Sequence, residues 1–277
     1  MKVLALDSSG SVVTLGVADG RKILAESQFT AGSKTVGLLT PEIDRILTEA
    51  GVRPLELEGF ALGAGPGSFT GLKVGYAAIM GLAFNGEKPI WAFPSLKLTA
   101  FGMTLSAEFK KGLVPVGSKE KQPTFRSDSG GMHLGFDKGL GAVSKEKVSS
   151  VDLPPVTRSK VLVLTGAKKG YFYRGMFAWT GSGVKEAEPL QAQKIEELVW
   201  PKEPVWVTGS ALETERAEVM GRVRPEDRVA AKDFWHPPAG LLAQLTATGK
   251  LGAPVEKNVG LEPIFLKSFE TKFKEIA

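Results

Sequence analysis

A chain of 277 residues with 43% hydrophobic content can form one large or two modest domains around a sizeable core, and its lack of cysteine excludes disulfides, thiolate metal sites and cysteine nucleophiles. The formal charge of +5 would suit nucleic acid, but Ser106 to Lys160 alone holds ten Lys or Arg against six Asp or Glu, so most of the excess sits in one segment. No apolar run reaches membrane-spanning length and Met1-Lys2 leads straight into a strand, so a soluble cytoplasmic protein without a signal peptide is expected.

Lys2 to Leu6, Val12 to Val17 and Lys22 to Phe29 are short β-type runs. Asp7-Ser8-Ser9-Gly10-Ser11 and Ala18-Asp19-Gly20-Arg21 separate them, which predicts an antiparallel meander. Leu38, Leu39, Ile43, Ile46 and Leu47 then recur at helical spacing, with Glu42, Arg45 and Glu49 outside and Gly51 as the stop. Local rules begin this helix at Thr40 as N-cap, with Pro41 in the first position.

A strand over Gly59 to Leu62 runs into Gly63-Ala64-Gly65-Pro66-Gly67-Ser68-Phe69-Thr70-Gly71 and then a helix to Asn85 whose one charge is Lys73. A surface helix should show a polar face, and this one does not. Three readings compete for the loop. A dinucleotide site needs G-x-G-x-x-G, but Ser68 or Thr70 falls in the last glycine slot. A P-loop needs Gly-Lys-Ser/Thr, and Gly71-Leu72-Lys73-Val74 has the wrong order. The third reading leads on local chemistry: Gly65 and Gly67 supply unusual backbone angles, Pro66 stiffens the turn, and Ser68 caps the helix.

Ile90 to Phe93 reads as a strand. Ser106 to Lys160, with Ser-Asp-Ser-Gly-Gly at 127–131 and little periodicity, reads as a long loop or insertion, either a solvated loop or an arm facing nucleic acid. Its aromatics, Phe109, Phe125 and Phe136, are too far apart for a stacking ladder. Val161 to Thr165 and Tyr171 to Trp179 form a second hairpin pattern, and Ile195 to Val199, Val205 to Thr208 and Ala239 to Thr246 read as helix, strand and helix. Two hairpin-first α/β units suggest the duplicated two-lobed actin-like ATPase fold of sugar kinases and heat-shock ATPases. The expected division is a first lobe over 1–104, a basic insertion over 105–160 and a second lobe over 161–277.

Enzymes of that architecture hold nucleotide phosphates between two hairpin turns. Asp7, Ser8, Ser9 and Gly10 could form the first, as a vestigial phosphate loop, but Thr165-Gly166 brings no second carboxylate, and Thr208-Gly209-Ser210-Ala211 is a fragment of the glycine run that would close over a base. Asp7 then serves to stabilise a turn. His133 and His236 are far apart, lack an H-E-x-x-H pair and read as surface histidines; Ser68 is not flanked as in G-x-S-x-G. No catalytic residue and no metal site is expected.

Gly65-Pro66-Gly67-Ser68-Phe69-Thr70-Gly71, with Ala61-Leu62-Gly63 before it and Lys73-Val74-Gly75 and Gly81-Leu82-Ala83 after it, resembles the TsaB (YeaZ-like) family of the tRNA threonylcarbamoyladenosine machinery. Leu4-Ala5-Leu6-Asp7-Ser8-Ser9, Leu38-Leu39-Thr40-Pro41-Glu42-Ile43 and Pro94-Ser95-Leu96 extend the likeness over about the first hundred residues, and it returns at 166–173 and 262–267. The resemblance implies an earlier start of the first long helix, near Lys34. It implies a scaffold with no cofactor of its own, paired with a TsaD-like catalytic subunit and a small ATPase subunit, homodimeric when alone, touching tRNA only indirectly, in a complex that uses ATP. Leu72, Tyr76, Ile79 and Ala83, spaced four, three and four, form one inward stripe of the helix after the glycine loop, and the flank of Gly71, Gly75, Ala78 and Leu82 calls for a closely approaching helix, either the chain's own first helix through Leu39, Ile43 and Ile46 or a partner's. The resemblance implies the partner, on a face that joins Leu39, Ile43 and Ile46 to Gly71, Lys73, Gly75, Ala78 and Leu82. Ala31-Gly32-Ser33-Lys34 in place of the usual His-Ser pair, and Gly166 in place of the usual Asp, mark a divergent member. The competing function is a small-molecule kinase or ATPase of the same fold, working through Asp7.

Overall fold

The computed structural model describes residues 1–30, 35–84, 87–106, 109, 160–167, 170–255 and 264, so nearly all of the basic insertion, His133 and most of the 262–267 stretch lie outside the described residues. The first three strands are β1 (Lys2–Asp7), β2 (Val12–Asp19) and β3 (Lys22–Thr30), an antiparallel meander as the turn residues require. Parallel strands β4 (Gly59–Gly63) and β5 (Ile90–Phe93) complete a sheet of order β3-β2-β1-β4-β5.

The second lobe repeats this plan. Strands β6 (Lys160–Gly166), β7 (Tyr171–Trp179) and β8 (Val184–Lys194) form the meander, and β9 (Val205–Thr208) and β10 (Arg228–Val229) add in parallel on the far side of β6, giving β8-β7-β6-β9-β10. Strand for strand, β6 stands where β1 does. This is the duplicated, two-lobed actin-like α/β fold that two hairpin-first units imply.

The helices are α1 (Thr35–Ala50), α2 (Phe69–Phe84), α3 (Ser95–Thr104), the short α4 (Ala211–Thr214) and α5 (Arg216–Met220), and α6 (Ala239–Ala247). Alternation along β1 divides the first lobe: Leu4 and Leu6 face α1 and α2, whereas Val3 and Ala5 join the core on the opposite side. That opposite side is covered by α6, through Leu241, Leu242 and Leu245. Burying one such leucine contributes about 1.5–3 kcal/mol, so α6 is a principal support of the first sheet. In the other direction, Leu96, Ala100 and Met103 of α3 join the core of the second lobe. The lobes therefore exchange helices, and the division by residue number at 104 and 161 does not follow the packing.

Three sequence readings change. Helix α1 starts at Thr35 with Pro41 inside it, which settles the start in favour of the earlier position. Ile195 to Val199 is not a helix: the Ile195 N–H donates to the Gly170 carbonyl, and the Arg222 guanidinium donates to the Ile195 and Leu198 carbonyls that a helix would have used internally. Strand β8 is an addition, an edge strand whose VKEAEPLQAQK sequence lacks an alternating apolar pattern because most of it faces solvent.

Candidate functional site

The glycine loop closes around the β1–β2 turn. Asp7 Oδ1 accepts from the Ser9 N–H at 2.9 Å and the Ser9 hydroxyl at 2.6 Å, which folds Asp7-Ser8-Ser9 into a tight turn. The Ser9 carbonyl then accepts from the Ser68 N–H at 2.7 Å, and the Ser8 hydroxyl donates to the Gly71 carbonyl at 2.9 Å. Ser95 completes the fastening: its hydroxyl accepts from the Gly65 N–H and its own N–H donates to the Gly65 carbonyl.

The glycines are there for proximity. A Cβ on Gly63 would collide with the Asp7 carboxylate, one on Gly67 would lie 2.2 Å from the Ser9 carbonyl oxygen, and one on Gly71 would lie 2.3 Å from that of Ser8. Gly65, with φ of 86° ahead of a cis Pro66, is the loop glycine that needs its conformational freedom. Gly67, expected to need the same freedom, has no positive φ; close approach to Ser9 is what excludes a side chain there.

This packing explains why neither phosphate-binding template fits. A phosphate cradle must present free backbone N–H groups. Here those of Ala64, Gly65, Ser68 and Gly71 are committed to Phe93, Ser95, Ser9 and the Ser68 hydroxyl. The last of these is the helix cap expected of Ser68. The second lobe presses on the same loop, since Tyr173 donates its hydroxyl to the Gly67 carbonyl at 3.3 Å, and the Ile264 N–H donates to the Ala64 carbonyl.

Asp7 is fully buried, its Oδ2 lacks a hydrogen-bond partner, and burial raises its pKa above the ordinary carboxylate value in spite of the Ser9 and Ser95 contacts. The Tyr76 hydroxyl is also buried without a partner, and burial together with Asp7 pushes it up to about 12. Ser9, Gly10, Ser95, Thr165, Ser210 and His236 surround the space between the lobes, a cavity of about 10 Å³. That is room for roughly one water molecule. His236, read from sequence as a surface residue, is instead largely buried here; it contacts the Glu213 carboxylate at 3.4 Å, and burial lowers its pKa in spite of that partner. Gly166 faces Thr214 and Glu215, and Gly209, with φ of 112°, lies against the Leu164 carbonyl, so the Thr208 to Ala211 segment packs on β6.

The residues expected on a partner face are distributed differently. Leu39, Ile43 and Ile46 are core residues, and Ala78 and Leu82 pack against the same core. Gly71 and Gly75 face Ser8, with a Cβ on Gly75 only 2.2 Å from the Ser8 hydroxyl, so the closely approaching group is the β1–β2 turn and not a second helix. Lys73 is exposed and stands 4.2 Å over the Phe69 ring. The outward stripe of α2 is one the sequence reading missed: Phe69, Lys73, Ala77, Met80 and Phe84, with Gly81 beside it. Met80 is 52% exposed and Phe84 88% exposed. The signal was present, since these positions are spaced by four, four, three and four, but in a helix apolar all round any phase gives such a stripe.

Among the described residues no three His, Cys, Asp or Glu side chains gather as a metal site, and no helix is long and apolar enough to cross a membrane. A family model of the tRNA N6-adenosine threonylcarbamoyltransferase, TsaD, matches residues 31–118. The tRNA threonylcarbamoyladenosine biosynthesis protein TsaB of Escherichia coli (strain K12) is 29% identical over 102 residues, 37% of this chain and 44% of the relative. The TsaB of Haemophilus influenzae is 33% identical over 100 residues, 36% of this chain and 41% of the relative. The chain thus spans less than half the length of these curated relatives in the matched stretches. YeaZ from Pseudomonas aeruginosa shares the fold nearly end to end, with a TM-score of 0.65 over 96% of this chain and 99% of that chain at 18% identity. In sequence, over the matched stretches, the chain is similar to TsaB and TsaD, and in fold it is similar to YeaZ nearly end to end.

Proposed function

We propose that the chain is a non-catalytic accessory subunit that partners a TsaD-like enzyme in threonylcarbamoyl transfer to a tRNA adenosine. The observation that carries this reading is the outward face of α2. It is a helix-long apolar strip with one lysine, it leaves Met80 and Phe84 in water, and it lies inside residues 31–118, the stretch that the TsaD family model matches. An exposed strip of this kind is stabilised by covering it with another protein. Leu38 of α1, 44% exposed, is a further apolar residue outside the core. A homodimer in isolation would use the same strip. The small ATPase subunit, the use of ATP by the assembled complex, indirect contact with tRNA and a cytoplasmic setting belong to this proposal.

A small-molecule kinase or ATPase is the weaker alternative. Pockets for such ligands run to about 300–1,000 Å³, whereas the space between these lobes holds about one water, and Asp7 is sealed behind the glycine loop. The deciding experiment is co-purification with the TsaD-like enzyme from the same cell, comparing wild type with Phe84→Asp and Met80→Glu. The expected result is that wild type associates and both variants lose association at unchanged melting temperature. Variants that still associate would move the surface elsewhere, and a wild type that never associates, yet binds ATP at micromolar affinity in an Asp7-dependent way, would favour the kinase.

A further inference from the structure

The last described residue is fastened where the outward strip of α2 begins. The Val255 N–H donates to the Ile90 carbonyl at the start of β5, and the Ile264 N–H donates to the Ala64 carbonyl at 2.7 Å. Between these two points the chain has passed from the start of β5 to the far end of β4, where the glycine loop turns into α2. A Cβ on Gly65 would stand 3.0 Å from the Leu72 side chain and 3.3 Å from the Ile264 carbonyl oxygen. The chain therefore continues from a point beside the first turn of α2.

Residues 265–277 read Phe-Leu-Lys-Ser-Phe-Glu-Thr-Lys-Phe-Lys-Glu-Ile-Ala. Leu266, Phe269, Phe273 and Ile276 recur at spacings of three, four and three, the period of one helical face, and Lys267, Glu270, Thr271, Lys272 and Lys274 fall between them. A stretch this short is marginal as a free helix in water and is stabilised when its apolar face meets another. As a helix, Leu266 to Ile276 would span about 15 Å, and Phe69 to Met80 on α2 spans about 16 Å.

The strip calls for such a cover. Phe69 is 55% exposed and Met80 52% exposed, with Ala77 exposed between them. Its one charge is Lys73, and Glu270, next to Phe269, brings the opposite sign to the flank of the tail stripe. A segment tethered at Ile264 acts at an effective concentration on the order of millimolar, which favours it over a separate chain of equal affinity.

We propose that residues 265–277 dock in cis as an amphipathic helix along α2, with Leu266, Phe269, Phe273 and Ile276 on the strip from Phe69 to Met80, and that a protein partner displaces them. The displacement rests on the reading of α2 as a partner surface; the docking does not. The tail then sets a threshold, because a partner binds only where its contacts with the strip exceed those of the tail. Phe84 lies one turn beyond a stripe of this length and stays open as the partner's first point of contact.

The test follows oxidation of Met80 to the sulfoxide by dilute hydrogen peroxide, mapped by mass spectrometry in the full chain. Wild type is compared with Phe269→Ser/Phe273→Ser and, as a control on the polar side of the tail, with Lys267→Ser/Lys274→Ser. Met80 should oxidise about tenfold more slowly in wild type and in the control than in the phenylalanine variant, at any protein concentration. Equal rates in wild type and the phenylalanine variant would overturn the docking. So would protection that grows with protein concentration and survives the phenylalanine substitutions, because a second copy would then be the cover. Co-purification tests the displacement: the phenylalanine variant should capture the TsaD-like enzyme several-fold better than wild type, and equal capture would overturn that half alone. Tail-dependent protection of Met80 in a chain that captures the enzyme in neither form would uphold the docking and remove the partner reading of α2.

Discussion

Gly16 on β2 and Gly240 in α6 meet backbone to backbone: a Cβ on Gly16 would stand 2.3 Å from the Gly240 nitrogen and 2.4 Å from its Cα. This contact lets the helix late in the chain lie on the first sheet. Gly16→Ala should therefore destabilise the protein by about 1–3 kcal/mol through overpacking. Gly183→Ala, where a Cβ meets nothing within 4 Å, should stay within about 0.5 kcal/mol of wild type. Urea unfolding of the two variants checks the contrast, and equal stabilities would show that α6 is not held at this point.

The glycines of α2 should behave oppositely according to face. Gly75→Ala places a methyl group against Ser8 and should cost about 1–3 kcal/mol. Gly81→Ala enters open space in a helix and should gain about 0.5–1 kcal/mol from propensity alone. Thermal denaturation decides, and a neutral Gly75→Ala would mean that the helix can shift away from the β1–β2 turn.

Asp7 gives a dependence on pH. Its pKa in the folded protein is raised by burial, so the unfolded chain ionises first, and the folded state loses ground as pH rises from about 4 through the folded value. His236 and the Tyr76 hydroxyl are the titratable neighbours, and His236, lowered by burial, works in the other direction by costing stability as pH falls below its unfolded value. Asp7→Asn keeps an acceptor for Ser9 and removes the charge. It should melt higher than wild type at pH 7.5, with the gap closing towards pH 4; a variant less stable at every pH would show that the ionised carboxylate is needed.

In the second lobe, Asp227 accepts from Trp200, from the Val205 N–H, and from the backbone and guanidinium of Arg224. Burial opposes its charge, but these donors, Arg224 first, bring its pKa down to about 2. Its contribution is therefore complete above the unfolded carboxylate value and is lost as pH falls through about 2. Asp227→Ala should cost about 1–3 kcal/mol at neutral pH, because it leaves the Val205 N–H and the Trp200 indole N–H without their acceptor while Arg224 keeps Glu226, and it should flatten the acid limb of a stability profile. A loss below about 0.5 kcal/mol would show that both donors find other acceptors.

Much of the first lobe was legible because its elements are local. Alternation marked β1 to β3, the glycine loop marked the joint into α2, and the stripe of Leu72, Tyr76, Ile79 and Ala83 is buried as its spacing predicts. What escaped depends on partners distant in sequence. Nothing near Gly71 or Gly75 says that the approaching group is Ser8, more than sixty positions earlier, and nothing near His236 says that Glu213 and the opposite lobe enclose it. Strand β8 escaped because an edge strand wetted along most of its length has no apolar period.

The exchange of α3 and α6 between lobes also bears on the order of synthesis. Strands β1 to β5 emerge from the ribosome while Ala239–Ala247 has yet to be translated, so Val3, Ala5 and Ala61 lack the α6 part of their cover, Leu241, Leu242 and Leu245, at that stage. The first sheet must then remain unconsolidated, or be shielded by a chaperone, until α6 has been made. A nascent chain arrested before Ala239 would present that apolar sheet face to water and be prone to aggregate, whereas one released after α6 could close in a single step.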